Sequence, residues 1–497
     1  MLTDRGSGIL MHPTSLPGPY GSGDFGPDAY SFVDWLVSAG QSYWQVLPMG
    51  EIGSGNSPYM SSSAFAGNVL LVDLAELARH GWLSDDDLVP HPEFQPGRVD
   101  FTLVQPYRVE RLRRAANSFF ASGHNDMHRS YTEFCLAENE WLDDYALFMT
   151  ISERESWREW NHWPKNLVHR EKEALRHVQE NSTDTLDFWK FCQWCFARQW
   201  SDLRLYANER GVHIIGDVPI FVAYQSADVW SHQDLFELDE DGRPQAVAGV
   251  PPDYFSETGQ LWGNPLYRWD AHKKTGYSWW IARLRHILQL VDIVRIDHFR
   301  GFAAYWEVPA DASNAITGKW EPGPGEYLFK AFEKAFPHLP IIAEDLGLIT
   351  PDVLALRDQF ELPGMRVLQF AFGDGEENHF LPHHYLANTI AYTGTHDNDT
   401  TLGWWHTAPP HEKAFAKLYL DSDGHAIHWD MIRALSKSVA NIVIFPLQDV
   451  LGLSSEHRMN YPGKSIGNWE WRFTWNLVLP EYTHVLAEVS QESGRIR

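Results

Sequence analysis

Short apolar runs alternate with amphipathic stretches along most of the chain. Eight runs rich in β-branched residues end in polar or charged residues, at 8–15, 42–48, 212–219, 292–299, 339–347, 365–373, 389–398 and 441–449. Helical patterns lie between many of them, at 27–39, 275–290, 327–337, 351–360 and 427–438. This alternation predicts a parallel sheet covered by helices. Eight strands, with no G-x-G-x-x-G after the first, favour a closed TIM (β/α)8 barrel of the α/β class over an open doubly wound sheet.

The uneven spacing of the strands predicts large insertions within one catalytic barrel that spans 1–497. Residues 49–205, between the second and third strands, far exceed an ordinary connection between a strand and a helix. They begin with a Gly/Ser-rich loop and continue with long charged helical patterns, which predict an inserted, mainly helical subdomain. Residues 223–268 are rich in Gly, Pro, Asp and aromatic residues, and we expect them to form an inserted loop region over the active site.

Composition narrows the classes of partner. The formal charge of −26 disfavours nucleic acids and anionic membranes, because both require a basic face. The chain also contains 23 Trp, 19 Tyr and 27 Phe residues. Aromatic faces pack against the apolar faces of sugar rings, so a carbohydrate groove is one interpretation. A well-filled hydrophobic core is the other.

Several features favour a cytoplasmic location. The first ten residues lack a basic stretch followed by a long apolar run, and no segment approaches 18 consecutive apolar residues. Three cysteines are too few for a disulfide framework. Cys192 and Cys195 form a C-x-x-C in an amphipathic helical pattern without a second cysteine pair, so we expect them to pack in a core rather than bind metal.

Carboxylates follow four of the eight candidate strands. Asp217, Asp297, Glu344 with Asp345, and Asp397 each come directly after an apolar run. A charged group beside a buried strand is costly unless it is solvated, paired or functional, although a single Asp could simply cap a helix. Catalytic residues of TIM barrels lie at the C-terminal ends of the strands. Several carboxylates at these ends therefore predict an active site.

Glycosyl transfer is a chemistry that uses several carboxylates without an evident metal or nucleotide. In its retaining form one carboxylate attacks the sugar and a second, with a raised pKa, serves as acid and then as base. Arg295 precedes Asp297 by two residues on a strand, so both should point the same way and Arg295 could keep Asp297 ionised. His298 and His396 could donate to sugar hydroxyls or make structural hydrogen bonds.

Sequence motifs identify a family. VRIDHFRG (294–301), IIAEDLG (341–347) and TGTHDND (393–399) resemble the catalytic segments of amylomaltases, the 4-α-glucanotransferases of glycoside hydrolase family 77 in the α-amylase clan. The resemblance covers nearly the whole chain. Further segments that resemble the family lie at 5–26, 44–68, 214–230, 249–267, 320–325 and 459–472.

The resemblance implies roles for individual residues. Asp297 would be the nucleophile, Glu344 the general acid/base, and Asp397 the carboxylate that grips the sugar ring in the transition state. The resemblance also implies a set of substrate-binding residues: Arg295, His298, His396, Asp217, Ser57, Tyr59, Asp253, Gln260, Trp262, Asp374 and Asn468. At Phe101 the family pattern has Tyr, so we expect this position to keep sugar stacking but to lose a hydroxyl hydrogen bond at a secondary glucan-binding spot.

The predicted function is therefore that of a 4-α-glucanotransferase acting on maltooligosaccharides and other α-1,4-glucans by a retaining double displacement. The mechanism needs no metal or cofactor. A hydrolase of the same clan would use the same carboxylates, and only the family resemblance separates the two. A catalytically silent glucan-binding protein is the third hypothesis, and loss of one of the carboxylates would have favoured it. No oligomeric state is predicted.

Overall fold

The computed structural model describes residues 4–123, 126–252 and 256–496. Its strands are β1 Gly6–Leu10, β2 Tyr43–Gln45, β3 His213–Pro219, β4 Ala246–Val250, β5 Gln260–Pro265, β6 Ile293–Asp297, β7 Ala304–Pro309, β8 Lys319–Pro322, β9 Ile341–Ala343, β10 Gly364–Val367, β11 Thr389–Tyr392 and β12 Ile442–Pro446.

The α-helices lie between and beside the strands, joined by short 3₁₀ turns. They are α1 Pro27–Ser38, α2 Leu74–Arg79, α3 Phe101–Ala121, α4 Asp126–Ala137, α5 Asn139–Arg154, α6 Lys165–Val168, α7 Lys172–Asn181, α8 Thr183–Glu209, α9 Ala227–Ser231, α10 Trp269–Lys274, α11 Ser278–Leu290, α12 Glu326–Ala335, α13 Pro351–Gln359, α14 Thr401–Thr407, α15 Pro410–Leu420, α16 Ile427–Lys437, α17 Leu447–Val450 and α18 Pro480–Glu492. In the described part of the chain, no helix is both long enough and apolar enough to cross a membrane.

Eight strands form a parallel sheet in the order β10-β11-β12-β1-β2-β3-β6-β9. A backbone hydrogen bond from Ala343, at the end of β9, to Pro363, just before β10, brings the two outer strands together at 2.9 Å. The sheet is thereby a nearly closed barrel, and the predicted TIM barrel is confirmed. Every barrel strand except β3 ends before its apolar run does, so the last residues of these runs form the loops at the rim.

The barrel strands are apolar on both faces because side chains fill the interior and helices cover the outside. Every residue of β1, β11 and β12 is buried. Many of the abundant tryptophans also lie in the core, and Trp44, Trp160, Trp194, Trp200 and Trp230 are fully buried. For these residues, core packing and not a carbohydrate groove explains the aromatic composition.

Helices α2 to α8 occupy the long segment between β2 and β3. The 27-residue helix α8 packs against α3 and α5. Cys192 and Cys195 lie on its buried face as free thiols, in the core packing that we expected. Phe101 is the first residue of α3 and is only 5% exposed. Its ring faces the core, so the expectation that it stacks on a sugar is wrong.

The second insertion is more regular than the sequence indicates. We expected a loop region at 223–268, but β4 and β5 lie there and pair antiparallel with each other. They belong to a four-stranded sheet of order β5-β4-β7-β8. Its strands β7 and β8 come between β6 and β9 in the chain. Gly and Pro interrupt the alternation of apolar and polar residues in AVAGV and QLWGNP, which concealed these strands.

Candidate active site

The predicted carboxylates converge at one rim of the barrel. Asp217 lies on β3, Asp297 is the last residue of β6, Glu344 directly follows β9, and Asp397 lies in the loop after β11. Parallel strands of a barrel all point the same way, so their C-terminal ends form one edge. The carboxylates that follow separate strands in the sequence therefore lie together at this edge of the barrel.

Arg295 joins two of these carboxylates. Its Nη1 donates to both oxygens of Asp217 at 2.7 Å, and its Nη2 lies 3.0 Å from Oδ1 of Asp297. Arg295 is 4% exposed, so the ion pairs are poorly screened by water. Burial raises the pKa of Asp297, and the Arg295 guanidinium opposes that rise. Arg295 therefore favours the ionised form of a carboxylate that burial would otherwise neutralise.

Glu344 is held by two backbone amides. The N–H of Leu346 donates to Oε1 at 2.7 Å, and the N–H of His298 donates to Oε2 at 2.8 Å. Burial raises the pKa of Glu344 to about 7, with Arg295 opposing the rise and the negative charge of Asp297 adding to it. Glu344 can therefore both give and take a proton near neutral pH.

His298 adopts a backbone conformation that is rare for residues other than glycine. Its φ of +54° lies in the left-handed region. This turn directly after β6 aims the His298 N–H at Glu344. Strain of this kind is concentrated at functional sites, where the surrounding structure enforces it.

Asp397 has the opposite electrostatic character to Glu344. Its Oδ2 lies 3.4 Å from Nε2 of His396, and its Oδ1 accepts a hydrogen bond of 2.7 Å from the side-chain amide of Asn460. Desolvation acts to raise the pKa of Asp397, but His396 and Asn460 bring it well below its usual value. Asp397 is thus a permanent negative charge, with its side chain half-exposed to the cleft.

Tyr59 connects the two sides of the rim. Its hydroxyl donates to Oδ2 of Asp217 at 2.7 Å and lies 3.0 Å from Nε2 of His396. Because the hydroxyl proton goes to Asp217, Nε2 of His396 is the donor in the second contact. The Tyr59 and His396 rings also stack at 5.3 Å. Ser57 accepts a hydrogen bond from the backbone of Tyr59 and so orients the turn that carries it.

Two more of the predicted residues, Gln260 and Trp262, lie on β5 of the antiparallel sheet. The ring of Trp262 on β5 meets His298 edge-on at 4.7 Å, which places it at the rim. Its indole N–H donates to Gln260 at 3.1 Å, and Gln260 is exposed. Asp253 lies outside the described residues.

A comparison with known proteins decides the family. The sequence profile of the family described as 4-alpha-glucanotransferase matches residues 11–477. The chain belongs to this family. It is 50% identical over 500 residues to a 4-alpha-glucanotransferase of Thermus thermophilus, covering 99% of both chains. It is 48% identical to one of Synechocystis, covering 95% of this chain and 94% of that relative.

Solved structures support the same assignment. An amylomaltase from Streptococcus agalactiae in complex with acarbose has a TM-score of 0.96 and 38% identity, covering 99% of this chain and all of that one. An amylomaltase from Corynebacterium glutamicum, at 17% identity and a TM-score of 0.77 over 98% of this chain and 75% of that one, shares the fold. The predicted family and enzyme class, 4-α-glucanotransferase, are confirmed.

Three residues singled out in the sequence have other surroundings than the rim cluster. Both polar atoms of the Asn468 side chain bond within its own loop, to the backbone of Tyr461 and Lys464. Asp374 is exposed in the turn beyond β10. Asp345 is buried, forms an ion pair with an arginine on α13 and accepts from the N–H of Met365, so it holds β10 in place.

The contact between Asn460 and Asp397 in this glucanotransferase was not predicted from the sequence. Asn460 lies within the family-like segment 459–472, but an Asn in a polar loop carries no signal of its own. It is 63 residues from Asp397 in the chain. Arg458 strengthens the same link by donating to the backbone carbonyl of Asp397 at 2.8 Å.

Proposed function

We propose that Asp297 is the nucleophile, Glu344 the general acid/base and Asp397 the fixed charge that stabilises the transition state. The observation that carries this proposal is the divergence of two pKa values at one rim. Burial raises the pKa of Glu344 to about 7, whereas His396 and Asn460 keep the pKa of Asp397 low despite desolvation. Environments that push two carboxyl pKa values apart assign the acid and the permanent anion.

In the first step, Glu344 protonates the glycosidic oxygen while Asp297 attacks the anomeric carbon. The bond to the leaving glucan breaks, and a covalent ester forms between Asp297 and the remaining glucanosyl unit. In the second step, Glu344 removes the proton from the 4-hydroxyl of an acceptor glucan. That oxygen attacks the anomeric carbon and releases Asp297. Two inversions retain the α configuration.

The residues around the carboxylates would bind the sugar at the cleavage point. Arg295 and Asp217 carry buried charge beside Asp297, and Tyr59 with His396 offers an aromatic face and a hydrogen-bonding edge. The proposed substrate-binding set is Arg295, His298, His396, Asp217, Tyr59, Ser57, Gln260, Trp262 and Asp253. We leave out Asn468, whose amide is used by its own loop, and keep Asp374 as an outer position.

We infer that the substrates are maltooligosaccharides and other α-1,4-glucans. The related amylomaltase of Streptococcus agalactiae has been solved with acarbose bound, which supports a glucan-shaped cleft. Transfer outcompetes hydrolysis only if water is kept from the ester, and the sheet edge that carries Trp262 beside His298 offers such a shield. The three free cysteines favour a reducing, cytoplasmic location.

The test is to incubate the purified protein with maltotriose alone and to resolve the products over time. We expect glucose together with chains longer than the trimer, because one donor loses a unit that another molecule accepts. Products that are all shorter than the trimer would mean hydrolysis. Unchanged maltotriose would contradict the proposal and favour a silent binding protein.

A further inference from the structure

A second cavity lies outside the active site, between the start of α5, the segment from α9 to Leu235, and α11. Its volume is about 530 Å³. Pockets of 300–1,000 Å³ are the usual size for small-ligand sites in proteins. None of the residues in the proposed active site lines it. It is therefore a separate compartment.

Aromatic rings form one wall of this cavity. Phe65 lies nearly parallel to Trp141, with ring centroids 6.2 Å apart, and meets Trp279 edge-on at 6.1 Å. Phe65 and Trp141 are only partly buried, so part of their ring surface is open, whereas Trp279 is 6% exposed and fixes the floor. Flat, immobilised ring surfaces of this kind suit the C–H face of a sugar ring.

Most of the inner carboxylates of the cavity are already paired. Glu138 accepts a hydrogen bond of 2.6 Å from the indole of Trp141. Asp144 forms an ion pair of 2.5 Å with Arg170. Asp228 is buried and accepts a backbone N–H at 2.7 Å. Because these carboxylates already have partners within the protein, they stabilise the walls of the cavity. The acidic residues of the cavity therefore do not indicate a cation-binding site.

The rim of the cavity offers both donors and acceptors. Glu140 and Asp234 are exposed acceptors, Arg285 is an exposed donor, and the hydroxyl of Ser278 can do both. The hydroxyl of Thr275 donates to the backbone carbonyl of His272 at 3.0 Å and can accept from a ligand. The hydroxyls of a sugar need this mixture, since each of them donates one hydrogen bond and accepts others. A neutral polyol with one apolar face therefore fits both the wall and the rim.

The inner wall belongs to the same loop that carries Tyr59 to the active site. The backbone carbonyl of Phe65 lies 2.8 Å from Nε2 of His286 on α11, and the carbonyl of Ser62 accepts from the N–H of Ala227 at 2.8 Å. A smaller cavity of about 70 Å³ shares Phe65 and His286 with the large one and reaches β3 at Asp217. The loop that carries Tyr59 thus contributes to both the active site and the large cavity.

We propose that this cavity is a second glucan-binding site, which takes about one or two glucosyl units at an end of a maltooligosaccharide. The ring faces of Phe65 and Trp141 pack on the sugar, and Glu140, Asp234 and Arg285 bind its hydroxyls. This proposal rests on the glucan specificity inferred above, but not on the roles given to Asp297, Glu344 and Asp397.

The test is fluorine NMR of protein labelled with 5-fluorotryptophan, titrated with maltotetraose in an Asp297→Asn background that prevents turnover. Single Trp→Phe variants assign the signals of Trp141, Trp279 and Trp262. We expect saturable shifts at Trp141 and Trp279 with a concentration dependence different from that of Trp262. The signal of Trp157, exposed and outside both sites, should not move.

A filling variant makes the test specific. Ala282 lines the cavity from α11, so Ala282→Phe should occupy it and weaken the response of Trp141 by about tenfold or more, whereas Ala282→Ser leaves it open. Saturation of Trp262 with Trp141 and Trp279 unmoved would overturn the second site, and so would full shifts in Ala282→Phe. Shifts at Trp141 without any at Trp262 would support the second site and count against the proposed active site.

Discussion

Asn460 donates its side-chain amide to Asp397 at 2.7 Å. The same loop reaches the backbone of Asp397 through Arg458, whose guanidinium also contacts the carbonyl of Asn460 at 3.1 Å. The position and the charge of Asp397 therefore depend on a segment near the end of the chain. Asn460 is a positioning residue, because it acts through Asp397.

The variant Asn460→Ala should lower kcat about ten- to a hundredfold, since a hydrogen bond to a charged group contributes about 1.5–3 kcal/mol. It should also raise the pKa of Asp397, because a group that favours the ionised form is lost. The loss should fall on kcat and leave KM nearly unchanged, because Asp397 acts on the transition state rather than on the bound substrate. Steady-state rates on maltotriose measure kcat and KM, and a carbon-13 NMR titration of the Asp397 carboxyl measures its pKa.

Asn388→Ala is a matched control for this variant, since Asn388 is partly buried and its side-chain amide donates to the backbone carbonyl of Glu361, far from the rim. It should leave kcat, KM and the pKa of Asp397 unchanged. If Asn460→Ala lowered kcat but left the pKa of Asp397 unchanged, the hydrogen bond would not control the charge of Asp397.

The pH dependence on the alkaline side reports on Glu344. Its pKa is raised from its usual value to about 7 by burial, so the acid form is lost as the pH rises through that value. We expect kcat/KM for maltotriose to fall above about pH 7. The folded state also binds this proton more tightly than the unfolded state does, so the contribution of Glu344 to stability decreases as the pH rises from about 4.5 to about 7.

The variant Glu344→Gln tests the acid/base role of Glu344. It should reduce turnover of maltotriose by roughly 10²–10⁴-fold, because protonation of the leaving oxygen is lost. With α-maltotriosyl fluoride as donor and azide as acceptor the loss should be far smaller, since fluoride leaves without a proton and azide needs no base. Equal losses with both pairs of reactants would contradict the acid/base role.

The shielding role of Trp262 can be tested by the ratio of transfer to hydrolysis. Trp262→Ala removes the ring that lies beside His298, so more water should reach the glucanosyl ester. We expect the hydrolysed fraction of maltotriose to rise about twofold or more, while Trp157→Ala, an exposed surface control, leaves it unchanged. A ratio unaffected by Trp262→Ala would place the shield elsewhere.

The barrel itself depends on a close approach of two strands. A Cβ on Gly8 of β1 would lie 2.4 Å from the backbone oxygen of Tyr43 on β2. Gly8→Ala should lower the free energy of unfolding by about 1–3 kcal/mol, because backbone atoms cannot yield as a flexible side chain does. Urea unfolding measures it. Gly123→Ala, where the Cβ meets no atom within 4 Å, is the control, and equal midpoints would refute the packing argument.

Residues close together in the sequence made much of the site predictable. Asp297 and Arg295 stand two apart on one strand, so their common direction follows from the strand period, and their contact at 3.0 Å has that origin. Asp217, Glu344 and Asp397 were predictable because each follows an apolar run that forms a barrel strand. The barrel followed from eight runs whose apolar character is continuous.

Long-range contacts were not accessible from local patterns. Tyr59 bonds His396 across 337 residues of chain and came only from the family resemblance, and Asn460 had no signal at all. The four-stranded sheet was missed because Gly and Pro break its short strands. The burial of Phe101 depends on how α3 packs, which periodicity does not reveal.

The central claim is that Asp297 carries the sugar, and trapping the ester tests it most directly. Glu344→Gln should be incubated with α-maltotriosyl fluoride, which forms the ester but lacks an efficient base to remove it, and then digested and analysed by mass spectrometry. We predict a glucanosyl adduct on the peptide that contains residues 293–299, located at Asp297 and absent when Asp297→Asn is added. An adduct on Asp217 or Asp397, or no adduct while fluoride is still released, would contradict the account.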